Sequence, residues 1–166
     1  MADTMTPEQR HRCMAAIKGK DTKPEMIVRR YLHAKGFRYG LHNKKLPGSP
    51  DIVLRKYKTV IFIHGCFWHG HEGCKYYRLP KTNVEFWKSK IYNNKNRDEL
   101  NEAKLKELGW RVIRIWECAI RRIRDRERSL EKLYNQIIAK PLRCDENENP
   151  IQIAAEDVIE YGKCTN

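Results

Sequence analysis

The chain has 166 residues, with 40% apolar side chains and a formal net charge of +13. That length suits one domain with one core, and the apolar content excludes a disordered chain. No apolar run approaches the roughly 20 residues a membrane-spanning helix needs, and MADTMTPEQR lacks the apolar stretch of a secretory signal, so the expectation is a cytoplasmic protein with no membrane partner.

The charge is unevenly distributed. Residues 140–166 carry three basic and six acidic side chains, a net of −3, so residues 1–139 carry +16. A field of that size favours a polyanion, and nucleic acid is the first candidate. Six cysteines without a signal segment point to metal ligation rather than disulfides.

In chain order, Thr6-Pro7-Glu8-Gln9 reads as a capping box opening a basic helix to about Gly19, with Thr6 as N-cap and Pro7 in the first turn. Poor in apolar residues, residues 1–20 are expected to form an arm. Thr22-Lys23-Pro24-Glu25 is a second start, followed by Met26, Ile27, Tyr31 and Leu32 at helical spacing and a stop at Gly36. Phe37–Leu41 alternates like a strand, and residues 47–50 form a turn. Asp51–Arg55 and Thr59–His64 predict a central antiparallel hairpin turning at Lys56–Lys58. Residues 65–81 have no period. Thr82–Glu85 reads as a third capping box, opening a long helix that Gly109 ends. Trp110–Trp116 reads as a strand and residues 129–139 as a helix that Pro141 stops. The fold expected is α/β: a mixed central sheet flanked by helices. Residues 21–140 would form the domain and 141–166 an acidic tail.

Cys66, His71 and Cys74 are spaced for one loop to wrap an ion. Structural zinc takes four Cys or His ligands, and Cys118, directly after a strand, is the choice for the fourth. Zinc would stabilise a loop with no apolar face of its own. Neither H-E-x-x-H nor the deaminase pattern occurs, and a four-ligand site leaves no position for water, so the zinc is expected to be structural.

Asp51 at a strand start and His64 at the end of its hairpin partner can converge on one point. The arrangement resembles the P-D…D/E-x-K core of restriction-endonuclease-like nucleases, with Phe62 at the second carboxylate position and His64 at the lysine position. LPGSPD from Leu46 to Asp51, VIFIHGCFWHGH from Val60 to His71, EFW from Glu85 to Trp87 and ELGWRVIRIWECA from Glu107 to Ala119 closely resemble the very short patch repair endonucleases. The resemblance spans roughly residues 5–140. It implies a restriction-endonuclease-like fold and an enzyme that nicks one DNA strand beside a T·G mismatch left by 5-methylcytosine deamination. It further implies Asp51 as magnesium ligand with the backbone carbonyl of Ile63, and His64 as a phosphate or metal-water partner. His69 would be the catalytic histidine, Glu25 and Asp98 outer carboxylates, and Cys66, His71, Cys74 and Cys118 the zinc ligands.

These residue types suit phosphodiester hydrolysis. Magnesium keeps several waters and needs few carboxylates, and histidine carries protons near neutral pH. Phe67 and Trp68, with Trp87, form a suitable wedge between base pairs, at a cost that a mismatch lowers. Arg12, Met14 and Lys18 of the arm are expected on DNA, with Met14 as a second wedge, and Lys88, Lys90, Lys95, Arg97 and the Arg121–Arg128 cluster on phosphates. Trp110 and Trp116 are expected in the core. The partners expected are duplex DNA carrying a T·G mismatch and mismatch-repair proteins, with a monomeric chain. Two rivals remain at this stage: a restriction-type enzyme cutting matched duplex, and a non-catalytic zinc module that binds DNA.

Overall fold

The computed structural model describes residues 6–16 and 19–139. The expected start at Thr6 is present: its hydroxyl accepts from the Gln9 amide and the Gln9 side chain accepts from the Thr6 amide. The helix it opens, α1 (Pro7–Ala15), is shorter than expected. Helix α2 (Lys23–Ala34) is capped by Thr22, whose hydroxyl accepts from the Glu25 amide. Here the box is only half closed, because the Glu25 side chain is engaged elsewhere. Of the helical stripe read from sequence, Leu32 is fully buried and Ile27 and Tyr31 pack on the core, while Val28 supplies the second fully buried contact. Gly36 takes φ +82°, and the Phe37 amide donates to Leu32 O, the two signs of a Schellman end.

Four strands form one sheet in the order β1-β2-β3-β4. β1 (Gly40–Leu41) and β2 (Ile52–Leu54) pair antiparallel, as do β2 and β3 (Thr59–His64), whereas β3 and β4 (Arg111–Trp116) are parallel. A short 3-10 turn at Arg55–Tyr57, followed by Lys58 at φ +46°, closes the central hairpin where the sequence places it. The strand expected from Phe37 is reduced to two residues, because Phe37 is drawn into the core against Tyr57 and Tyr134.

The parallel pair requires a crossover, and α3 (Val84–Glu107) supplies it. The helix begins one residue later than the motif suggests. Asn83, in left-handed conformation, is its cap residue and makes no side-chain cap bond. After β4 the chain forms α4 (Glu117–Arg121), which the sequence reading missed, and α5 (Ile123–Ile138), which starts six residues before expectation.

Alternation along β3 and β4 sorts their side chains onto two faces. Ile61, Ile113 and Ile115 join Ile52, Leu54, Val28, Leu32, Ile120, Leu130, Leu133 and Ile137 in the larger core beneath α2, α4 and α5. Val60 and Val112 pack on the opposite face with Val53, Leu105 and Trp110. Further along that second face the register pairs Phe62 with Arg114 and His64 with Trp116. The face thus turns from aliphatic to polar toward the ends of β3 and β4. Ile61 is fully buried at the centre of the larger core. Ile61→Ala is expected to cost about 2–5 kcal/mol in urea-denaturation stability; a cost below about 1 kcal/mol would contradict the packing described.

Candidate active site and metal centre

The polar end of the second face opens into a cleft of about 510 Å³, with Asp51, Ile63, His64, His69 and Asp98 in its wall. Asp51 directly precedes β2 and its Oδ2 accepts from the Ile63 amide at 2.7 Å. One carboxylate oxygen is therefore fixed to the neighbouring strand. Among the described residues the other, Oδ1, accepts no hydrogen bond, and His42 Nδ1 stands 4.0 Å from it. Burial pushes the Asp51 carboxyl up, and the neighbouring Glu25 charge adds to the rise against the Ile63 hydrogen bond. A divalent cation would relieve that strain by supplying positive charge to an oxygen ligand. One carboxylate with a free oxygen beside an open cleft fits magnesium, which completes its shell with water.

His64 and His69 stack in this cleft with ring centroids 3.8 Å apart and planes 11° apart. Two protonated imidazoles would not stack in this way. Burial, followed by the charge on His69, lowers His64 to about 3, so His64 is neutral at physiological pH. Its Nδ1 is buried without a hydrogen-bond partner. His69 Nδ1 is bonded to Asp98 Oδ2 on α3. Burial alone would raise the Asp98 carboxyl, but the bond to His69 and the His69 charge hold it below its ordinary value. Asp98 thus fixes the tautomer and leaves Nε2 of His69 to exchange protons. The solvated salt bridge to Lys95 or Arg97 that the helix position also allows is not what forms.

Glu25 is buried on α2, with Oε1 3.2 Å from Arg29 Nη1 and 3.0 Å from His42 Nε2. The His42 approach lacks hydrogen-bond alignment, since Nε2 has no hydrogen-bond partner. Arg29 also pairs with Asp21 at 2.5 Å. The ring of His42, a residue that sequence reasoning missed, stands between the Glu25 and Asp51 carboxylates without a hydrogen bond to either. His42 sits at φ +45° in the irregular segment before β2, where no periodicity marks it. Asn94 was also missed: its Nδ2 donates to Trp68 O at 2.9 Å, tying the loop to α3.

The loop from Gly65 to Asn83 contains neither helix nor strand. Cys66, His71, Cys74 and Cys118 converge so that their donor atoms all lie within 4.8 Å of one another. A tetrahedron of 2.3 Å metal–sulfur bonds has edges of about 3.8 Å, so the cluster is a Cys3His metal-site geometry consistent with zinc. Burial pushes the Cys66 thiol up to about 12; a bound cation would reverse that by ionising it. Turn hydrogen bonds shape the loop, from the His71 amide to Cys66 O at 2.9 Å and from His69 to Gly65 O at 3.2 Å. Gly70 lets it approach α3. At φ +60° a Cβ there would stand 2.8 Å from Ile91 Cγ2. Trp116 links the two centres rather than lying in the core. Its ring stacks on His71 at 4.0 Å and meets His64 edge-on at 5.5 Å. Trp110 does pack on the second core cluster.

Phe67, Trp68 and Trp87 form one half-buried surface cluster with edge-on contacts of 5.2 to 5.9 Å. Phe86 extends it and is 61% exposed. On α1, Arg12 and Met14 are exposed; Lys18 and the acidic tail lie outside the described residues. Lys20, Lys44, Arg97 and Arg114 bring positive charge to the cleft.

The match of residues 2–75 to the family model described as DNA mismatch endonuclease Vsr joins this geometry to known proteins. The chain is 47% identical over 120 residues to the type II nicking enzyme V.XorIIP of Xanthomonas oryzae, covering 72% of this chain and 88% of that one. It is 45% identical over 137 residues to the type II nicking enzyme V.NmeAIP of Neisseria meningitidis, covering 82% and 97%. To the DNA mismatch endonuclease Vsr of Escherichia coli it is 43% identical over 121 residues, covering 73% and 77%. The chain belongs to the Vsr and type II nicking-enzyme family. Membership supports a DNA endonuclease activity, and the resemblance read from the LPGSPD, VIFIHGCFWHGH and ELGWRVIRIWECA segments holds. Metal analysis of the purified protein should find one zinc per chain, reduced in Cys118→Ala together with the melting temperature. Full stability of the native protein after exhaustive chelation would contradict a structural metal.

Proposed function

We propose that this chain is a magnesium-dependent, strand-specific endonuclease that nicks duplex DNA beside a T·G mismatch left by deamination of 5-methylcytosine and so begins very short patch repair. The observation that carries this reading is a single cleft joining Asp51 to the stacked His64–His69 pair and Asp98, next to the Phe67–Trp68–Trp87 cluster. Asp51, with the Ile63 carbonyl, would hold magnesium, and zinc would sit in the Cys66, His71, Cys74 and Cys118 cluster. Magnesium bound there would activate water and stabilise charge on the attacked phosphate.

The residues divide the remaining work. His69 Nε2 transfers the proton, with Asp98 stabilising the imidazolium form. His64, neutral, supports the His69 ring from one side and offers hydrogen bonding rather than charge. Glu25 and Asp98 act as outer carboxylates, Glu25 through His42. Phe67, Trp68 and Trp87 insert beside the mismatch, where poor pairing lowers the cost of unstacking. Met14 and Arg12 of α1, with Lys18, reach the DNA from the arm. Because discrimination comes partly from deformability, the matched duplex resists the same distortion.

A nicking assay on two labelled duplexes, one carrying T·G in a cytosine-methylation site and one fully paired, tests the reading. With magnesium, the T strand of the mismatched duplex should be nicked selectively, and EDTA or Asp51→Ala should abolish the product. His69→Ala should lower the rate by on the order of 10²–10⁴-fold. Equal cutting of both duplexes would indicate a restriction-type enzyme, and binding without cutting under any divalent metal would indicate a DNA-binding module.

A further inference from the structure

One cation in the cleft stands where its strand face would otherwise continue an apolar contact. Position 114 lies on the second face of β4, two residues beyond Val112 and two before Trp116, opposite Phe62 on β3. Val112 at the preceding position on that face packs on the second core cluster with Leu105 of α3. An apolar side chain at 114 would continue that contact, and the chain places an arginine there. An arginine partly buried on a sheet face costs desolvation unless it is paired.

The pairing is partial. Arg114 Nη2 donates to Glu102 Oε2 at 2.6 Å. Glu102 is shared, its other oxygen lying 2.9 Å from Lys106 Nζ, so one carboxylate faces two cations. A guanidinium has five N–H donors. Among the described residues, Nε and Nη1 of Arg114 have no protein partner, and the side chain is 35% exposed. Trp116 supports the group from beneath, with the guanidinium carbon 6.0 Å from the ring centre.

Its position is also singular. The cleft that holds Asp51 is flanked by a smaller cavity of about 240 Å³, and His64, His69, Asp98 and Arg114 line both. Lys20, Lys44 and Arg97 line only the first and Lys95 only the second. Arg114 is the one cation common to both, and its charge is felt at His64. It is mounted on β4, paired in register with β3, whereas Lys44 lies in an irregular segment, so the strand pair fixes its distance from the histidines.

We propose that Arg114 is a phosphate-binding residue of the active cleft, using its free Nε and Nη1 donors to hold a non-bridging oxygen of the DNA phosphodiester at or next to the one that is cut, while Glu102 orients it. This rests on the endonuclease reading above. Arginine suits this task because its planar fork matches a phosphate in two bonds, where lysine offers a single point charge.

The test uses full-length Arg114→Gln, Arg114→Lys and Glu102→Gln with the T·G duplex. Binding is measured by fluorescence anisotropy in EDTA over a series of salt concentrations, and nicking separately with magnesium. Loss of one phosphate contact should reduce the slope of log affinity against log salt by about 0.9 in Arg114→Gln. Arg114→Lys should keep the slope, and Glu102→Gln should keep it too. In nicking, Arg114→Gln should lose on the order of 10²-fold in kcat, with Arg114→Lys between it and the parent. An unchanged slope with a rate within about twofold of the parent would overturn the proposal. So would equal losses in Glu102→Gln and Arg114→Gln, which would make the pair a structural tie. Should Arg114→Gln fail to fold, Arg114→Lys decides: a slope kept with kcat reduced supports the contact, and an unaltered kcat refutes it. If the parent protein binds DNA but does not nick the mismatch, the mismatch reading fails while the salt slope still judges Arg114.

Discussion

Four donor atoms meet where three separate parts of this molecule join, in a metal-site geometry consistent with zinc. Cys66, His71 and Cys74 come from a segment with no regular structure, and Cys118 from the first turn after β4. A metal closing that set would fix the end of β3, the loop and the end of β4 against one another. The Phe67 and Trp68 rings add contacts to Trp87 of α3, and Asn94 donates to Trp68 O, but these tie the loop to the helix rather than to the end of β4. A structural zinc contributes on the order of 10 kcal/mol to folding in small domains, more than the turn hydrogen bonds of the loop can supply at about 1 kcal/mol each.

The active cleft inherits its geometry from this closure. His69 lies between ligands Cys66 and His71, and its backbone is held by the bond to Gly65 O. With the loop closed, His69 lands on His64 from β3 and on Asp98 from α3. The same closure seats Trp116 between His71 and His64 and presents Phe67 and Trp68 beside Trp87. The histidine proposed to carry the proton and the aromatics proposed to distort DNA therefore share one loop. The sheet supplies the rest. Asp51 and Ile63 meet because β2 and β3 are antiparallel neighbours, and the polar end of the face begins where Val60 and Val112 give way to Phe62 and Arg114.

Much of this was legible in the sequence. The central hairpin, the β4 strand and the long helix followed from period and from turn residues, three of the four clustered donors from spacing and Cys118 from its place after a strand. The Asp51–His64–His69 grouping was legible because its members lie within one short stretch. What the sequence did not reveal is where pairing depends on distant elements. Asp98 and Glu25 could each be read as helix-surface groups, and only packing shows that one meets His69 and the other His42. His42 carries no periodic signal in its loop. Arg114 carries no distinguishing signal in its strand, since alternation gives the face but not what covers it. Phe37 resembled a strand start and was taken by the core instead, a tertiary contact overriding local pattern.

Metal closure of the loop is expected to hold the His69–Asp98 pair in place. Long-range nitrogen–proton NMR of the histidine rings reads this directly. In the zinc-loaded protein, His69 should show a protonated, hydrogen-bonded Nδ1, and Asp98→Asn should shift it. Careful zinc extraction should abolish that signature while the amide signals of Ile61 and Leu133 in the core persist. A His69 ring that keeps its Nδ1 bond after the metal is removed would contradict the claim.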